Sequence, residues 1–153
     1  MISTSTTIKA SCDVAYPRDR VFRHWTSQET RSRWETGPDT HLLQENFDMR
    51  KGGREVVRMM KGNQSVGEMI QRIHAMVEGE LIATTTQYII DGETTMMMQL
   101  SLEFEDHEGG TRITALAQIV DLTGQNLTEQ HKAGWAWIFA RFEGDIEANG
   151  LIE

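Results

Sequence analysis

The chain has 153 residues, of which 39% are hydrophobic, so we expect one globular domain over residues 1–153 with a sizeable core. Its formal net charge of −8, from 15 basic and 23 acidic residues, argues against nucleic acid and anionic membrane surfaces as partners, because their phosphates would repel it. No stretch reaches the roughly 20 apolar residues that a membrane span requires.

The N-terminal segment predicts a strand and then a helix. Residues 6–14 alternate between apolar and polar side chains, which is typical of a strand with one buried face. Pro17 suits the first turn of a short helix, because proline has no amide hydrogen to leave unpaired there. The apolar residues of this predicted helix are Val21, Phe22 and Trp25.

A second short helix is predicted directly afterwards. Thr26, with Glu29 three residues later, forms the pattern of a capping box. The helix is expected to end near Trp34, and Gly37-Pro38 then breaks the chain direction.

The middle of the chain predicts an antiparallel meander. Asp-Gly and Gly-Gly pairs separate alternating segments, and such pairs are strong signals of hairpins. The alternation is clearest in 93–105, where one face is apolar and the other mostly polar, as expected for an antiparallel sheet with one solvated side. The predicted strands are 40–48, 53–61, 66–77, 80–90, 93–105 and 111–121.

The C-terminal segment predicts one long amphipathic helix. Asn126 and Glu129 are placed to cap its first turn, and Asn149-Gly150 supplies a stop signal. About 21 residues would make a rod of roughly 30 Å. Gly134 is expected to let the helix approach the sheet closely. The apolar stripe consists of Trp135, Ile138, Phe139, Phe142 and Ile146.

Five local motifs resemble a known family. They are Pro17-x-x-x-Val21-Phe22-x-x-Trp25-Thr26, Trp34, Phe47-Asp48-Met49-Arg50-Lys51-Gly52-Gly53, Gly110-Thr111-Arg112-Ile113-Thr114 and His131-Lys132-Ala133-Gly134-Trp135. In this order they span nearly the whole chain and resemble the START-like superfamily, in particular the branch named after the activator homologue of the heat-shock-protein-90 ATPase. None of the motifs is catalytic.

The resemblance implies an α+β helix-grip fold, in which a curved antiparallel sheet wraps around a long C-terminal helix, with two short helices after the first strand. It also implies that a small hydrophobic or amphipathic molecule binds in a cavity between sheet and helix. Such a cavity would hold its ligand mainly by apolar burial, with one or two polar groups fixing its orientation.

Candidate ligand-binding residues follow from this fold and from the apolar faces. His131 and Tyr88 are candidates to orient the ligand, although a core histidine bonded to a backbone carbonyl is the commoner role for a residue placed like His131. The many methionines suggest an adaptable pocket, or side chains that fill gaps in a curved sheet. Trp34 is a candidate to close the pocket mouth. The complete set is Trp34, Met59, Met69, Tyr88, Met98, Leu100, His131, Trp135 and Phe139.

Two other functions stay open. An enzyme of the cyclase or dehydratase type would use the same cavity and would place a titratable group with a shifted pKa inside it. A dimeric interaction protein or chaperone-associated regulator in a stress response would have a filled core and a homodimer contact at the outward-facing Trp137.

The sequence lacks the patterns that are typical of metal sites, nucleotide cofactors and signal peptides. The five histidines are scattered and no glycine-rich phosphate loop precedes a helix, so no metal, catalytic motif or cofactor is expected. The single Cys12 and an N-terminus without the apolar core of a signal peptide favour a cytoplasmic location.

Overall fold

A computed structural model describes residues 3–35 and 39–153 of the chain. The predicted break at Gly37-Pro38 lies outside these residues. None of the helices within them has the length and apolarity needed to cross a lipid bilayer. The elements are β1 (Thr4–Val14), α1 (Arg18–Thr26), α2 (Gln28–Trp34), β2 (His41–Phe47), β3 (Arg54–Lys61), β4 (Gln64–Val77), β5 (Leu81–Ile90), β6 (Glu93–His107), β7 (Gly110–Asp121) and α3 (Thr128–Asn149).

The seven strands of the described residues form one antiparallel sheet in the order β1-β7-β6-β5-β4-β3-β2. Strands β2 to β7 pair in sequence order, as the hairpin signals predict, and β1 closes the arrangement by pairing with β7. The sheet curves around α3, so the helix-grip fold is confirmed.

The core lies between the concave face of the sheet and the three helices. Along β6 the inward residues Met98, Leu100 and Phe104 are buried, whereas the outward Gln99 is exposed. The predicted stripe of α3 faces this surface, because Trp135, Phe139, Phe142 and Ile146 are all buried. A helix with one apolar stripe and a sheet with one apolar face thus cover each other.

The two halves of the sheet differ in regularity. The pairings of β1 with β7 and of β7 with β6 run without a register shift. In contrast, every pairing from β2 to β6 contains one shift, for example between Tyr88 and Ile89 on β5. Such bulges bend strands and re-aim side chains. Helix α3 packs chiefly on β1 and α2, so the irregular half of the concave face is only partly covered.

The structure corrects two predicted helix starts. The cap of α2 is Ser27 rather than Thr26, and its hydroxyl accepts a hydrogen bond from the Thr30 amide. Helix α3 begins at Thr128, and the Asn126 side chain accepts a hydrogen bond from the amide of that residue at 3.2 Å. Both corrections shift a boundary by one or two residues, within the usual uncertainty of helix ends.

Candidate functional site between sheet and helix

A row of polar side chains crosses the irregular half of the concave face. Glu55 on β3 pairs with Gln71 on β4, which pairs with Thr86 on β5. Partners in register lie side by side on one face, about 5 Å apart from strand to strand. All three residues are buried, so the row forms a polar strip in an otherwise apolar surface.

A small cavity of about 50 Å³ lies between this strip and α3. This volume has room for roughly three or four water molecules. Five of the predicted site residues line this cavity, namely Met69, Tyr88, Met98, Leu100 and Trp135. The remaining lining residues are Trp25, Arg31, Glu35, Met49, Gln71, Ile82, Thr84, Thr86, Leu102 and Ile138.

A larger groove of about 230 Å³ lies next to the inner cavity. The two spaces share Glu35, Met69, Tyr88 and Ile138 as walls. The groove lies between α3 and the irregular strands, and it includes a sixth predicted residue, Met59. Its other walls are Leu42, Gly134 and Trp137. Inner cavity and groove together form the candidate pocket.

The polar strip continues into a buried ionic cluster around Arg31 of α2. The Arg31 Nη1 atom lies 2.9 Å from Glu35 Oε2 and 3.7 Å from Glu55 Oε1. Arg31 Nη2 donates to the Trp25 carbonyl at 3.0 Å, and the guanidinium lies over the Trp34 ring. Although burial opposes its charge, the two carboxylates raise the Arg31 pKa above its ordinary value.

Glu55 is the acid of this cluster that burial affects most. It is fully buried, and it accepts hydrogen bonds from Gln71 at 3.1 Å and from Gln44 at 3.5 Å. Burial raises the Glu55 pKa to about 7, with a further rise from Glu35, while Arg31 and the Gln44 hydrogen bond act in the opposite direction. The Glu55 carboxyl group therefore titrates near neutral pH.

Three buried side-chain atoms in the described part of the chain have no hydrogen-bond partner within the protein. They are Arg31 Nε, Thr84 Oγ1 and Thr86 Oγ1. All three belong to residues that line the inner cavity. Since buried polar groups are almost always paired in proteins, their concentration around one cavity marks a place where hydrogen-bonding capacity is held in reserve.

Tyr88 lies where the cavity and the groove meet. Burial raises the pKa of its phenol, and the neighbouring Glu35 and Glu55 raise it further, so the hydroxyl remains protonated at neutral pH. The ring belongs to the wall of both spaces. Tyr88 can therefore contact an apolar body with its ring while its hydroxyl donates or accepts a hydrogen bond.

Trp34 and Phe139 lie in the aromatic core and outside the lining of both spaces. Trp34 packs against Trp25 with ring centroids 4.5 Å apart, and it is only 1% exposed. Phe139 contacts Trp25 and Trp135. These two side chains support the pocket wall from behind.

His131 also lies outside the lining of both spaces. Its Nε2 atom lies 2.9 Å from Asp121 Oδ2 and 3.1 Å from Oδ1 at the end of β7. Asp121 is buried, so this pair ties the start of α3 to the regular half of the sheet. The structure gives His131 a side-chain partner in place of the backbone partner considered from the sequence.

Gly134 does not have the role expected from the sequence. A side chain at this position would meet nothing within 4 Å, so no close approach of helix and sheet requires a glycine there. The glycine instead leaves open space at the wall of the groove. Trp137 is 43% exposed, in agreement with the predicted outward direction.

A wider concavity of about 660 Å³ lies on the opposite, outer face of the sheet. Outward side chains such as Thr7, Arg72, Gln99 and Gln118 surround it. It is a shallow saddle of a twisted sheet without a helix above it. We therefore place the candidate site on the concave side, where apolar walls enclose the space.

A second buried ionic cluster lies on the other side of α2. Asp145 of α3 accepts from Arg33 Nε at 2.7 Å and from Arg33 Nη2 at 3.0 Å, and its Oδ2 lies 2.8 Å from His24 Nε2. Asn149 donates to the same carboxylate, and the Ile152 amide donates to His24 Nδ1. Every polar atom of the His24 ring and the Asp145 carboxylate thus has a partner.

Sequence reasoning missed the polar part of the site. The missed residues are Arg31, Glu35, Glu55, Gln71, Thr84 and Thr86. A signal was present, because Glu55 shares strand parity with Val57 and Gln71 shares it with Met69 and Ile73. Polar residues on an apolar face are the informative exceptions in a buried pattern.

Metal ligation finds no geometric support. Among residues 3–35 and 39–153, no group of three or more histidine, cysteine or acidic side chains is arranged to hold an ion.

Solved structures share this fold. An uncharacterized protein from Rhizobium leguminosarum superposes with a TM-score of 0.83 at 19% identity, over 97% of this chain and 98% of that chain. A protein from Chromobacterium violaceum gives 0.80 at 17% identity, over 92% and 96%. The crystal structure of Ara h 8.0201 gives 0.71 at 14% identity, over 95% and 100%. At these identities the likeness concerns the fold alone.

Sequence comparison adds the family. No curated protein matches the chain. The family model described as Activator of Hsp90 ATPase homolog 1-like protein matches residues 15–146, which include α1, α2, strands β2 to β7 and most of α3. The match covers most of the chain and agrees with the helix-grip fold, so this protein belongs to the family of Activator of Hsp90 ATPase homolog 1-like proteins.

Proposed function

We propose that this protein reversibly binds a small amphipathic molecule in the candidate pocket. The observation that carries the proposal is the coincidence of the three unpartnered buried atoms with a single cavity. An unpaired buried polar group costs free energy, so a protein retains such groups where something else pairs with them. The helix-grip fold of the family is consistent with this function.

The dimensions favour a ligand that lies across both spaces. The inner cavity of about 50 Å³ is too small for a typical ligand, whereas the groove of about 230 Å³ can take an apolar body. Met59, Met69 and Met98 provide flexible walls that can shift to join the two. The polar group would then lie inside and the apolar body outside.

An acid–base enzyme receives less support from this geometry. Glu55, whose pKa burial raises to about 7, is fully buried and lies behind Gln71, outside the lining of the cavity. A general acid or base must come within hydrogen-bond reach of its substrate. We therefore assign Glu55 to holding Arg31, and we propose binding in preference to turnover.

A pair of glycine substitutions on α3 tests the pocket. Gly134→Leu should place a side chain at the groove, and its Cβ would meet nothing within 4 Å. Gly144→Leu is the matched control, since that glycine is also exposed, equally open and outside both spaces. Both changes should stabilise the fold by up to about 0.8 kcal/mol through helix propensity.

The readout is a thermal-shift panel of small hydrophobic and amphipathic compounds, followed by calorimetric titration of each hit. A ligand at 100 times its Kd should add about 2.7 kcal/mol to wild-type stability. We expect Gly134→Leu to weaken binding at least tenfold and Gly144→Leu to leave it unchanged. A panel without hits, together with a Tm that rises with protein concentration, would refute the pocket and support the dimeric alternative.

A further inference from the structure

The unpartnered atoms of the inner cavity have a chemical preference. Arg31 Nε can only donate a hydrogen bond, and the hydroxyls of Thr84 and Thr86 can each donate or accept one. Thr84 and Thr86 lie two residues apart on β5, about 7 Å along the strand, and both point to the concave face. A group that accepts hydrogen bonds can pair with any of the three, whereas a donor cannot pair with Arg31.

The Arg31 guanidinium already has carboxylate partners in the protein. The Arg31 guanidinium has Glu35 at 2.9 Å and Glu55 at 3.7 Å, and these contacts neutralise it. An anionic ligand would add a buried negative charge without a free cation opposite, which is costly. A cationic group has no lone pair to accept a hydrogen bond from Arg31 Nε. Charge and hydrogen-bonding capacity together therefore select an uncharged acceptor.

On these grounds we infer that the inner cavity receives the neutral carbonyl oxygen of a ketone or ester, with Arg31 Nε and the hydroxyl of one of the two threonines, Thr84 or Thr86, as its donors. The inference rests on the proposed ligand-binding function and specifies its ligand class. Movement of the Met69 and Met98 side chains, which line the cavity, admits the carbonyl, while the apolar body occupies the groove.

Two threonine substitutions separate recognition from folding. Thr84→Val and Thr86→Val exchange an unpaired buried hydroxyl for a methyl group of similar shape, so each should raise the Tm of the free protein by roughly 3 °C. The same change should weaken binding of a carbonyl ligand about fivefold to tenfold for the threonine that contacts it. Thr85→Val is the control, because Thr85 lies between them on the outer face and bonds His74.

The ligand class is tested with probes of matched shape. Calorimetric titrations would compare 2-acetylnaphthalene with 2-ethylnaphthalene and 2-naphthoate, and 2-undecanone with decanoate. We expect each ketone to bind at least tenfold more tightly than its matched acid, and 2-acetylnaphthalene to exceed 2-ethylnaphthalene by a similar factor. Thr86→Val or Thr84→Val should reduce the ketone preference and leave the affinity for 2-ethylnaphthalene unchanged.

The possible failures are distinct. Equal affinity for ketone and hydrocarbon would overturn the carbonyl assignment but leave the proposed pocket intact. Tighter binding of the acids would overturn the inference that the ligand is uncharged. An equal loss of ketone and hydrocarbon affinity in both valine variants would mean altered pocket shape and would also overturn it. If no probe on either skeleton binds, the proposed function fails together with the inference.

Discussion

Two arginines of α2, two residues apart, enter two buried ionic clusters of different character. Arg33 points towards α3 and meets the Asp145 cluster, in which the carboxylate has four donors around its two oxygens. Arg31 points towards the sheet and meets Glu35 and Glu55, yet its Nε atom and two neighbouring threonine hydroxyls have no partner. Residues two apart on a helix face nearly opposite directions, which explains the division.

The pairing of its polar atoms distinguishes a buried cluster that only stabilises the fold from one that can also bind a ligand. A cluster in which every polar atom is paired rigidifies its surroundings and leaves nothing for a ligand to satisfy. A cluster with unpaired atoms on the wall of a cavity retains hydrogen-bonding capacity that a ligand can use. We therefore regard the Asp145 cluster as structural and the Arg31 cluster as the polar end of the pocket.

The largest effect is expected at the structural cluster. Asp145→Asn keeps the shape of the side chain but removes the charge that pairs with Arg33, and its amide hydrogens would face donors. Removing one partner of a fully buried ion pair costs about 3–5 kcal/mol, and because the Arg33 side chain is 38% exposed we expect a loss at the lower end, about 3 kcal/mol. The measurement is the free energy of unfolding in urea at neutral pH, with Glu147→Gln, an exposed position of the same helix, as the control.

If Asp145→Asn were as stable as Glu147→Gln, the Asp145 cluster would not hold the helices together, and the distinction between the two clusters would be lost.

The next effect concerns Glu55, whose pKa rises from an ordinary 4.5 to about 7 in the folded protein. Between these values the folded state holds a proton that the unfolded state has released. The stabilising contribution of that proton is thus complete below pH 4.5 and is lost as pH rises through 7. At about 1.4 kcal/mol per pKa unit, the loss by pH 8 is roughly 3 kcal/mol.

Glu55→Gln should remove this decline and make the protein more stable than the wild type at pH 8. Urea unfolding at pH 5 and pH 8 measures it, with Glu103→Gln, which is exposed on β6, as the matched control. A Glu55→Gln protein whose stability still falls in parallel with the wild type would show that another group causes the decline.

The apolar and polar parts of the pocket differ in how well the sequence predicts them. Alternation in β6 and the stripe of Trp135, Phe139 and Phe142 predict the sheet, the helix and their facing surfaces, because both signals are periodic and local. The apolar lining, including Met98 and Trp135, follows from the same periodicity. These parts of the fold and pocket could be predicted from the sequence.

The polar end of the pocket could not be predicted in the same way. Arg31 meets Glu55 across 24 positions of sequence, and only the tertiary arrangement brings them within 3.7 Å. Bulges such as that between Ile73 and Ala75 change strand parity at places that alternation alone does not reveal. Which polar residue lies inside a cavity is therefore a property of the assembled fold.

The smallest expected effect is local and lies at the structural cluster. Burial lowers the His24 pKa, even though Asp145 acts in the opposite direction, so the ring is neutral at physiological pH and its Nδ1 accepts from the Ile152 amide at 3.1 Å. At acid pH, below the ordinary histidine range, protonation of Nδ1 replaces this acceptor with a donor and breaks the bond. Because the folded pKa is lowered, the histidine contribution to stability is present at neutral pH and declines as pH falls.

Hydrogen exchange of the Ile152 amide measures this effect. Its protection factor should fall about fivefold from neutral to acid pH, the equivalent of one hydrogen bond, while that of the core amide of Ile113 should not change. Equal protection of the Ile152 amide at neutral and acid pH would mean that His24 does not hold the C-terminal segment. The Asp145 cluster would then join the helices without a contribution from its histidine.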